Sequence, residues 1–554
     1  MQELGPRQKN DCGASVRAMS SVQKVAMPRL PHALIALGAS LYAPLRARRW
    51  KAPRRAIHDQ EKTLAAWLPR AAGTAYGKAC GLRAGMTYAQ FQTRIPPSTY
   101  ETIRPWIERM MQGEANILWP GQCADYVTSA GTTYGHGKHL PATADICAHF
   151  RQATLDALIM YTTRTGSTRV FQGRHLALGG ATPPAPLQTS PTFPIRSGNL
   201  ASLIARNLTT WAECPHCTKS HADEQLVEWQ ERVQSIAQNC SAKNITLLAG
   251  VPAWLVLLAE ELRHHAYGQG RPLNQLRDLW PHLECLVHSG MPVAPFAEEL
   301  RQNLGSGVNF HEIYAACEGL IAAQDASGPR GLRLMAHSGL FFEFIPMSVF
   351  DEHRVEHLGD KAVPLAGVKP GVDYALLLTT PAGLCRYVLG DVVRFVCTEP
   401  PRLTYVGRTR HQLNAFGEHV TEKDITESLT AVCARHNWST VNFHVAPLAI
   451  SSTTGRTTGH HEWWIELKPG THETPTGPLL EGELDAELQR LHEGYRLKRK
   501  NSDMRPPVVR LVMPGLFAQW LTANGKWGGQ HKMPRCRSDR AIADVFASLA
   551  QFNK

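Results

Sequence analysis

The stretch TSAGTTYGHGK, Thr128 to Lys138, limits what this chain can fold into more than any other. Three glycines among four small hydroxyl residues leave almost nothing to bury, so the segment reads as a pliable ribbon outside the core. It follows the apolar NILWPG and leads through a prolyl LPATA into a helix-forming segment near Asp145. A loop of this kind can turn backbone N–H groups inward, and its hydroxyls and Lys138 add donors suited to phosphate. Glycine and serine runs also make ordinary turns, so the rest of the chain has to decide.

At 554 residues the chain exceeds one ordinary core, and two or more domains are expected, a large one with a smaller attachment. Hydrophobic content of 43% with 19% charged residues excludes general disorder. The net charge of +12 favours anionic partners, but it is scattered, and nucleotide, nucleic acid and membrane surface all fit it. The densest basic run, RARRWKAPRR from Arg46 to Arg55, reads as a solvated helix face. The apolar run from Leu30 to Leu45 contains His32 and is shorter than the roughly 20 residues of a membrane-spanning helix. It is expected to be a packed helix, with no clear cleavage site after it. Residues 1–26 lack apolar periodicity and are expected to be disordered. Thirteen cysteines without scaffold spacing point to a reducing cytoplasm. The pair Cys214 and Cys217 has redox or half-zinc spacing with His216 and His221 nearby, but it lacks a βαβ context and a second such pair. It reads as an incidental loop.

Residues 56–115 are helical in pattern, as in DQEKTLAAWLPRAA and TIRPWIERMMQ. Helices then alternate with the strands NITLLAG, LECLVHSG, VNFHEIYAA, LRLMA and LFFEFIPM. A β-rich passage follows, with DYALLLTT, LCRYVLGDVVRFV and RLTYVG between Pro/Gly turns. After Gly407, HHEWWIEL and PVVRLVMPGLF read as strands around one helix, GPLLEGELDAELQRLHEGYR.

Four stretches give the ribbon company. YAACEG places Tyr314 and Glu318 four apart after a strand, an aromatic face for a base and a carboxylate for Mg²⁺. YVLGD ends in Asp391, expected on a strand-to-strand turn, where an acceptor pair can take ribose hydroxyls. GRTRHQLNAFGEH joins Arg408 to a glycine-bearing turn, and NGKWGGQHKMPR offers Lys526 and Lys532 on a flexible C-terminal segment. Singly, each also fits a core aromatic, a turn residue or a solvated cation. In this order they are the parts of an adenylate-forming enzyme.

From about residue 56 to the end, the chain resembles the auxin-responsive Gretchen Hagen family of acyl acid amido synthetases, in a bacterial-type version. That family lies within the adenylate-forming superfamily of acyl-CoA synthetases and luciferase. The matching landmarks are NILWPG, TSAGTTYGHGKHLP, FHEIYAACEGLIAAQD, GLFFEFIP, LLTTPAGLCRYVLGDVVRF, TYVGRTRHQLNAFGEHVTE, YRLKR and GQHKMPRC. The resemblance implies a mixed α/β fold. A large N-terminal domain over 27–415 would carry a β-barrel, flanking sheets and helices, and a small mobile α+β lid would span 416–554. It also implies that Ser129, Gly131, Thr132 and Thr133 hold the nucleotide phosphates, that Ser289 and Gly290 lie against adenine, and that Tyr314 stacks on the base. Glu318 would face Mg²⁺, Asp391 would bind ribose, Arg408 would be the hinge arginine, and Lys532 the mobile lysine. His419 stands where plant members have lysine. The chain departs from the family pattern at Ala130, Cys317, Cys385 and Val388.

The expected reaction is a two-step ligation with ATP and Mg²⁺, forming an acyl-adenylate and then an amide with an amino acid. A thiol acceptor, or nucleotide binding without turnover, are the alternatives. A cytoplasmic monomer with small-molecule substrates, no nucleic acid and no stable membrane insertion is expected. The identity of the acid and the amine is not legible, though the region around Trp254 is a candidate for the acyl pocket.

Overall fold

The computed structural model describes residues 32–129, 138–178, 185–187, 193–198, 236, 238–290, 293–328, 330–409, 412–413, 415–416, 418, 420–451, 457–468, 475–524 and 533–552. Residues 1–26, Cys214, Cys217, His216, His221, Gly131, Thr132, Thr133, His419, Lys526 and Lys532 lie outside that set.

The helical N-terminal region consists of α1 (His32–Lys51), α2 (Arg55–Ala72), α3 (Ala75–Ala79), α4 (Tyr88–Arg94) and α5 (Tyr100–Met111). On α2 and α5 the buried residues recur at three-to-four spacing, Leu64, Trp67, Leu68 and Ala71 on one, Ile103, Ile107 and Met110 on the other. They share a core with Leu384, Cys385 and Tyr387. Helix α1 is a packed helix, as expected, but one-sided. It is packed only on its small-residue side, where Ala36, Ala39, Ala43 and Trp50 join the main core. Alanines allow close approach to α6 (Ala144–Thr165), and Arg46 of the basic run is not solvated but bound to Asp156 of α6 at 2.8 Å.

Strands β1 (Asp125–Ser129) and β2 (Lys138–Pro141) pair antiparallel, with Ser129 opposite Lys138 at the base of the ribbon. With β4 (Ala185–Leu187) and β5 (Ile195–Gly198) they form a four-stranded sheet. Among the described residues the main sheet has eleven strands. Its parallel half is β3 (Arg174–Leu178), β6 (Ile245–Gly250), β7 (Cys285–His288) and β8 (Asn309–Ala316). Helices α7 (Pro252–Gly268), α8 (Leu276–Leu279) and α9 (Ala297–Leu304) make the crossovers. Covered strands of this kind are continuous apolar runs, and every residue of β7 is buried. The antiparallel half adds β9 (Gly319–Ala323), β10 (Leu332–Leu334), β11 (Phe341–Pro346), β12 (Val363–Pro364), β13 (Asp373–Thr379), β14 (Tyr387–Thr398) and β15 (Pro401–Arg408). The strand order is β12-β11-β13-β14-β15-β10-β9-β8-β7-β6-β3.

Beyond Arg408, β16 (Gln412–Leu413) pairs with β17 (Val420–Thr421), and β18 (Thr440–Ser451), β19 (Thr457–Leu467) and β20 (Val508–Leu511) form a three-stranded sheet. Helices α10 (Glu422–His436), α11 (Gly477–Leu491), α12 (Glu493–Lys500), α13 (Leu516–Ala523) and α14 (Ala541–Phe552) pack around it. The single helix expected over Gly477 to Arg496 is two, because His492 adopts an extended backbone and caps the second with its ring. The strand expected through Phe517 ends at Leu511, and Gly515 at φ 92° opens α13 instead.

Candidate active site

The carboxyl ends of parallel strands point one way, and in open α/β sheets ligands bind at that edge. Here Gly250 ends β6, His288 ends β7, and β8 carries Tyr314 shortly before the turn with Cys317 and Glu318. Ser289 N–H donates to the Gly250 carbonyl at 3.4 Å, joining two strand ends, and Gly290 follows at φ 90°, a backbone that favours glycine.

The Tyr314 hydroxyl donates to Asp391 Oδ2 at 2.5 Å, with both residues buried. Strands β9, β10 and β15 lie between β8 and β14 in the sheet order. Four strand spacings in a flat sheet are about 19 Å, far beyond the reach of a tyrosine and an aspartate. The antiparallel half is therefore rolled, giving the barrel-like wall that the resemblance implies. Tyr405 of β15 packs edge-on against Tyr314 with ring centroids 5.8 Å apart.

Asp391 is not on a turn. It lies inside β14, opposite Arg408 of β15. A Gly-Asp pair suggests a turn by composition, but Gly390 at φ 83° instead bends the strand beside a bulge. Arg408 Nε stands 2.9 Å from Asp391 Oδ1. That ion pair lacks hydrogen-bond alignment, so among the described residues the buried Oδ1 has no hydrogen-bond partner and keeps an acceptor site. Burial, then the neighbouring Asp391, hold Tyr314 as a neutral phenol that donates.

Glu318 is 9% exposed. Burial pushes its carboxyl up to about 7, Arg408 and Lys138 pull it down, and Asp391 opposes them. Lys138, paired with Ser129 across β1 and β2, therefore lies within electrostatic reach of Glu318. Of Ser129 only the backbone is described, and it pairs with Lys138. Among the described residues no group of three or more His, Cys, Asp and Glu gathers around one point. One hard carboxylate is what Mg²⁺ uses when substrate phosphates and waters complete its shell, and Glu318 fits that donor set.

Two departures from the family pattern do not face this cleft. Cys385 is fully buried in the core with α2 and α5, and Val388 packs beside the Ile345 and Leu377 cluster. Cys317, the third departure, is half-buried in the turn before Glu318. Trp254 is 4% exposed within the core under α7.

Three features of the structure go beyond what the sequence shows. Lys138, which reads as part of the ribbon, interacts with Glu318. His288 is buried at the end of β7, its Nδ1 without a hydrogen-bond partner among the described residues and its imidazole pushed down to about 4 by burial, hence neutral. Arg386, fully buried at φ 46°, binds Glu343 through Nε at 3.0 and 3.1 Å and donates to the carbonyls of Gln92, Ile95 and Gly359. Tyr88 also donates to Glu343. The signal was present as one charge in each of two apolar runs, FFEFIP and LCRYV.

A rolled mixed sheet with this strand-end cleft is the fold of adenylate-forming enzymes. The chain superposes on AtGH3.15 acyl acid amido synthetase in complex with 2,4-DB with a TM-score of 0.70 at 17% identity, covering 94% of this chain and 97% of that one. On 2-hydroxyisobutyryl-CoA ligase in its postadenylation state the TM-score is 0.55 at 14% identity, covering 90% and 91%. Within that class the chain belongs to the GH3 family: the family's N-terminal domain matches residues 50–309, its central domain 333–408 and its C-terminal domain 423–541. Indole-3-acetic acid-amido synthetase GH3.8 of Oryza sativa subsp. indica is 25% identical over 557 residues, covering 88% of this chain and 89% of that protein.

Proposed function

We propose that this protein is an ATP-dependent acyl acid amido synthetase, with a large domain over 27–415 and a mobile lid over 416–554. The observation that carries this reading is the Tyr314–Asp391 contact, which brings a base platform and a ribose acceptor together from strands four places apart. Asp391 Oδ1, buried and without a hydrogen bond among the described residues, takes a ribose hydroxyl. The Tyr314 ring and the Ser289–Gly290 turn flank the adenine. The ribbon residues Ser129, Gly131, Thr132 and Thr133 receive the phosphates, and Lys138 adds positive charge. Glu318 holds Mg²⁺, which when bound neutralises phosphate charge.

In the first half-reaction a carboxylate oxygen attacks the α-phosphorus and pyrophosphate leaves, giving an acyl-adenylate. Lys532 supplies fixed positive charge where negative charge grows on the phosphate oxygens. Rotation about the segment after Arg408 then brings the lid, with His419 at its edge, to a second position. The amine of an amino acid attacks the acyl carbon, and AMP leaves with the bonding pair. The proposed setting is the cytoplasm.

The test is a pyrophosphate-release screen over aromatic, jasmonate-like and fatty carboxylic acids. Products are then weighed by mass spectrometry with mixed amino acids or with coenzyme A. An acid-dependent amide is the expected product. A thioester without amide assigns the thiol-acceptor reading, and ATP binding without pyrophosphate release for any acid assigns a module without turnover. Lys532→Ala, folded as judged by circular dichroism, is expected to lose carboxylate-dependent pyrophosphate exchange; near-normal exchange rejects its role.

A further inference from the structure

The apolar surface outside the core is concentrated on α1. Leu34, Leu37, Leu41, Tyr42 and Leu45 are 52%, 57%, 67%, 41% and 64% exposed, five of the fourteen large hydrophobics so exposed among the described residues. Spacing of three and four aligns the leucines in one stripe. They cannot turn inward, because the other face is fixed. Ala36, Ala39, Ala43 and Trp50 are in the core, His32 Nδ1 lies 3.1 Å from the Phe171 carbonyl, and Arg46 grips Asp156 with two nitrogens while lying 5.6 Å above the Tyr42 ring.

The charge beside this stripe has one sign. Arg48 and Arg49 follow Leu45 by three and four positions, continue the same face and are exposed. The helix contains no Asp or Glu, and neither arginine has a carboxylate partner among the described residues. No helix among them is long and apolar enough to cross a membrane. An apolar stripe ending in arginines, on a helix whose other side is held in the core, presents a face able to lie in the plane of a bilayer interface.

We propose that α1 docks this protein on anionic lipid bilayers, the leucine stripe entering the headgroup–acyl boundary while Arg48 and Arg49 meet headgroup phosphates. Charge complementarity selects this occupant. A second copy would bring the same helix, with no carboxylate for either arginine. The thirty-one residues before α1 carry five basic residues against two acidic, the wrong sign as well. An anionic headgroup layer supplies the missing charge, and its attraction for basic residues falls off within a Debye length. Docking is independent of the ligase reading, since α1 contains none of the residues assigned to the nucleotide.

The test is flotation of the full-length protein with phosphatidylcholine vesicles and with vesicles of phosphatidylcholine and phosphatidylglycerol. Binding is expected on the anionic vesicles only, weakening as salt is raised. Arg48→Glu with Arg49→Glu should lower it roughly tenfold or more, and Leu37→Glu with Leu41→Glu should abolish it. Both variants substitute exposed side chains, and unchanged melting curves verify that they fold. Absence of binding, equal binding to both vesicle types, or binding that survives either variant overturns the proposal. So does a dimer, seen by light scattering, that the leucine variant dissolves, because the stripe would then belong to a second copy.

Discussion

Glu318 shows how position changes the chemistry of a residue. Its carboxyl is raised from 4.5 to about 7, chiefly by burial, so the folded protein favours the protonated form. A raised folded value means that this contribution to stability is fully present below about pH 4.5 and is lost as pH rises through about 7. The loss is on the order of 3 kcal/mol, taking 1.36 kcal/mol per unit. Glu318→Gln carries no proton to lose. Its melting midpoint is predicted to match the parent near pH 4.5 and to lie several degrees above it at pH 8. A gap that is the same at both pH values would show that the residue's burial is not its cause. Mg·ATP should narrow the gap at pH 8 by favouring the ionised parent carboxylate.

At the scale of elements, the start of β14 depends on one buried ion pair. Arg386 and Glu343 are 0% and 1% exposed, and the arginine also holds three backbone carbonyls from the chain around α4 and Gly359. Removing one partner of such a pair leaves a buried charge alone and costs about 3–5 kcal/mol, whereas replacing both with apolar groups costs far less. Arg386→Met is therefore predicted to shift urea unfolding sharply downward, and Arg386→Met with Glu343→Leu to recover most of the shift. A double variant no better than the single would mean that the three carbonyls, not Glu343, are what Arg386 serves.

This pair also shows where sequence reading stops. The helices α2, α5 and α6 and the strands β6 to β8 were legible because period and run length are local properties. The partner of a lone charge in FFEFIP is forty-three residues away, across β11, β13 and β14. Likewise, Gly390 and Asp391 carry turn residues in a place where the neighbouring strand turns them into a bulge. The run from Leu30 to Leu45 reads as a packed helix, but composition does not say which of its faces α6 will cover. Tyr314, Asp391 and Arg408 could be paired in advance only through the family resemblance, since no local pattern encodes how far a sheet rolls.

For the whole molecule, a contact between the two halves has a bearing on the proposed rotation. Lys468, at the end of β19, binds Glu260 of α7 at 3.0 Å and also Glu299 of α9. It links the three-stranded sheet to the crossover helices of the parallel half. The groups are partly exposed, so the latch is worth only a few tenths to about 1 kcal/mol. Lys468→Ala is predicted to change the ratio of pyrophosphate exchange to amide formation by roughly two- to threefold, leaving the melting curve in place. An unchanged ratio would mean that the latch survives both half-reactions or governs neither.

The roll of the antiparallel strands makes the proposed cleft a seam where two remote margins of one surface touch. A nucleotide that holds Tyr314 and Asp391 together acts as a clasp on that seam and resists its breathing. Amide protons of β9, β10 and β15, the strands enclosed by the clasp, should exchange with deuterated solvent more slowly once ATP is added, while those of α2 keep their pace.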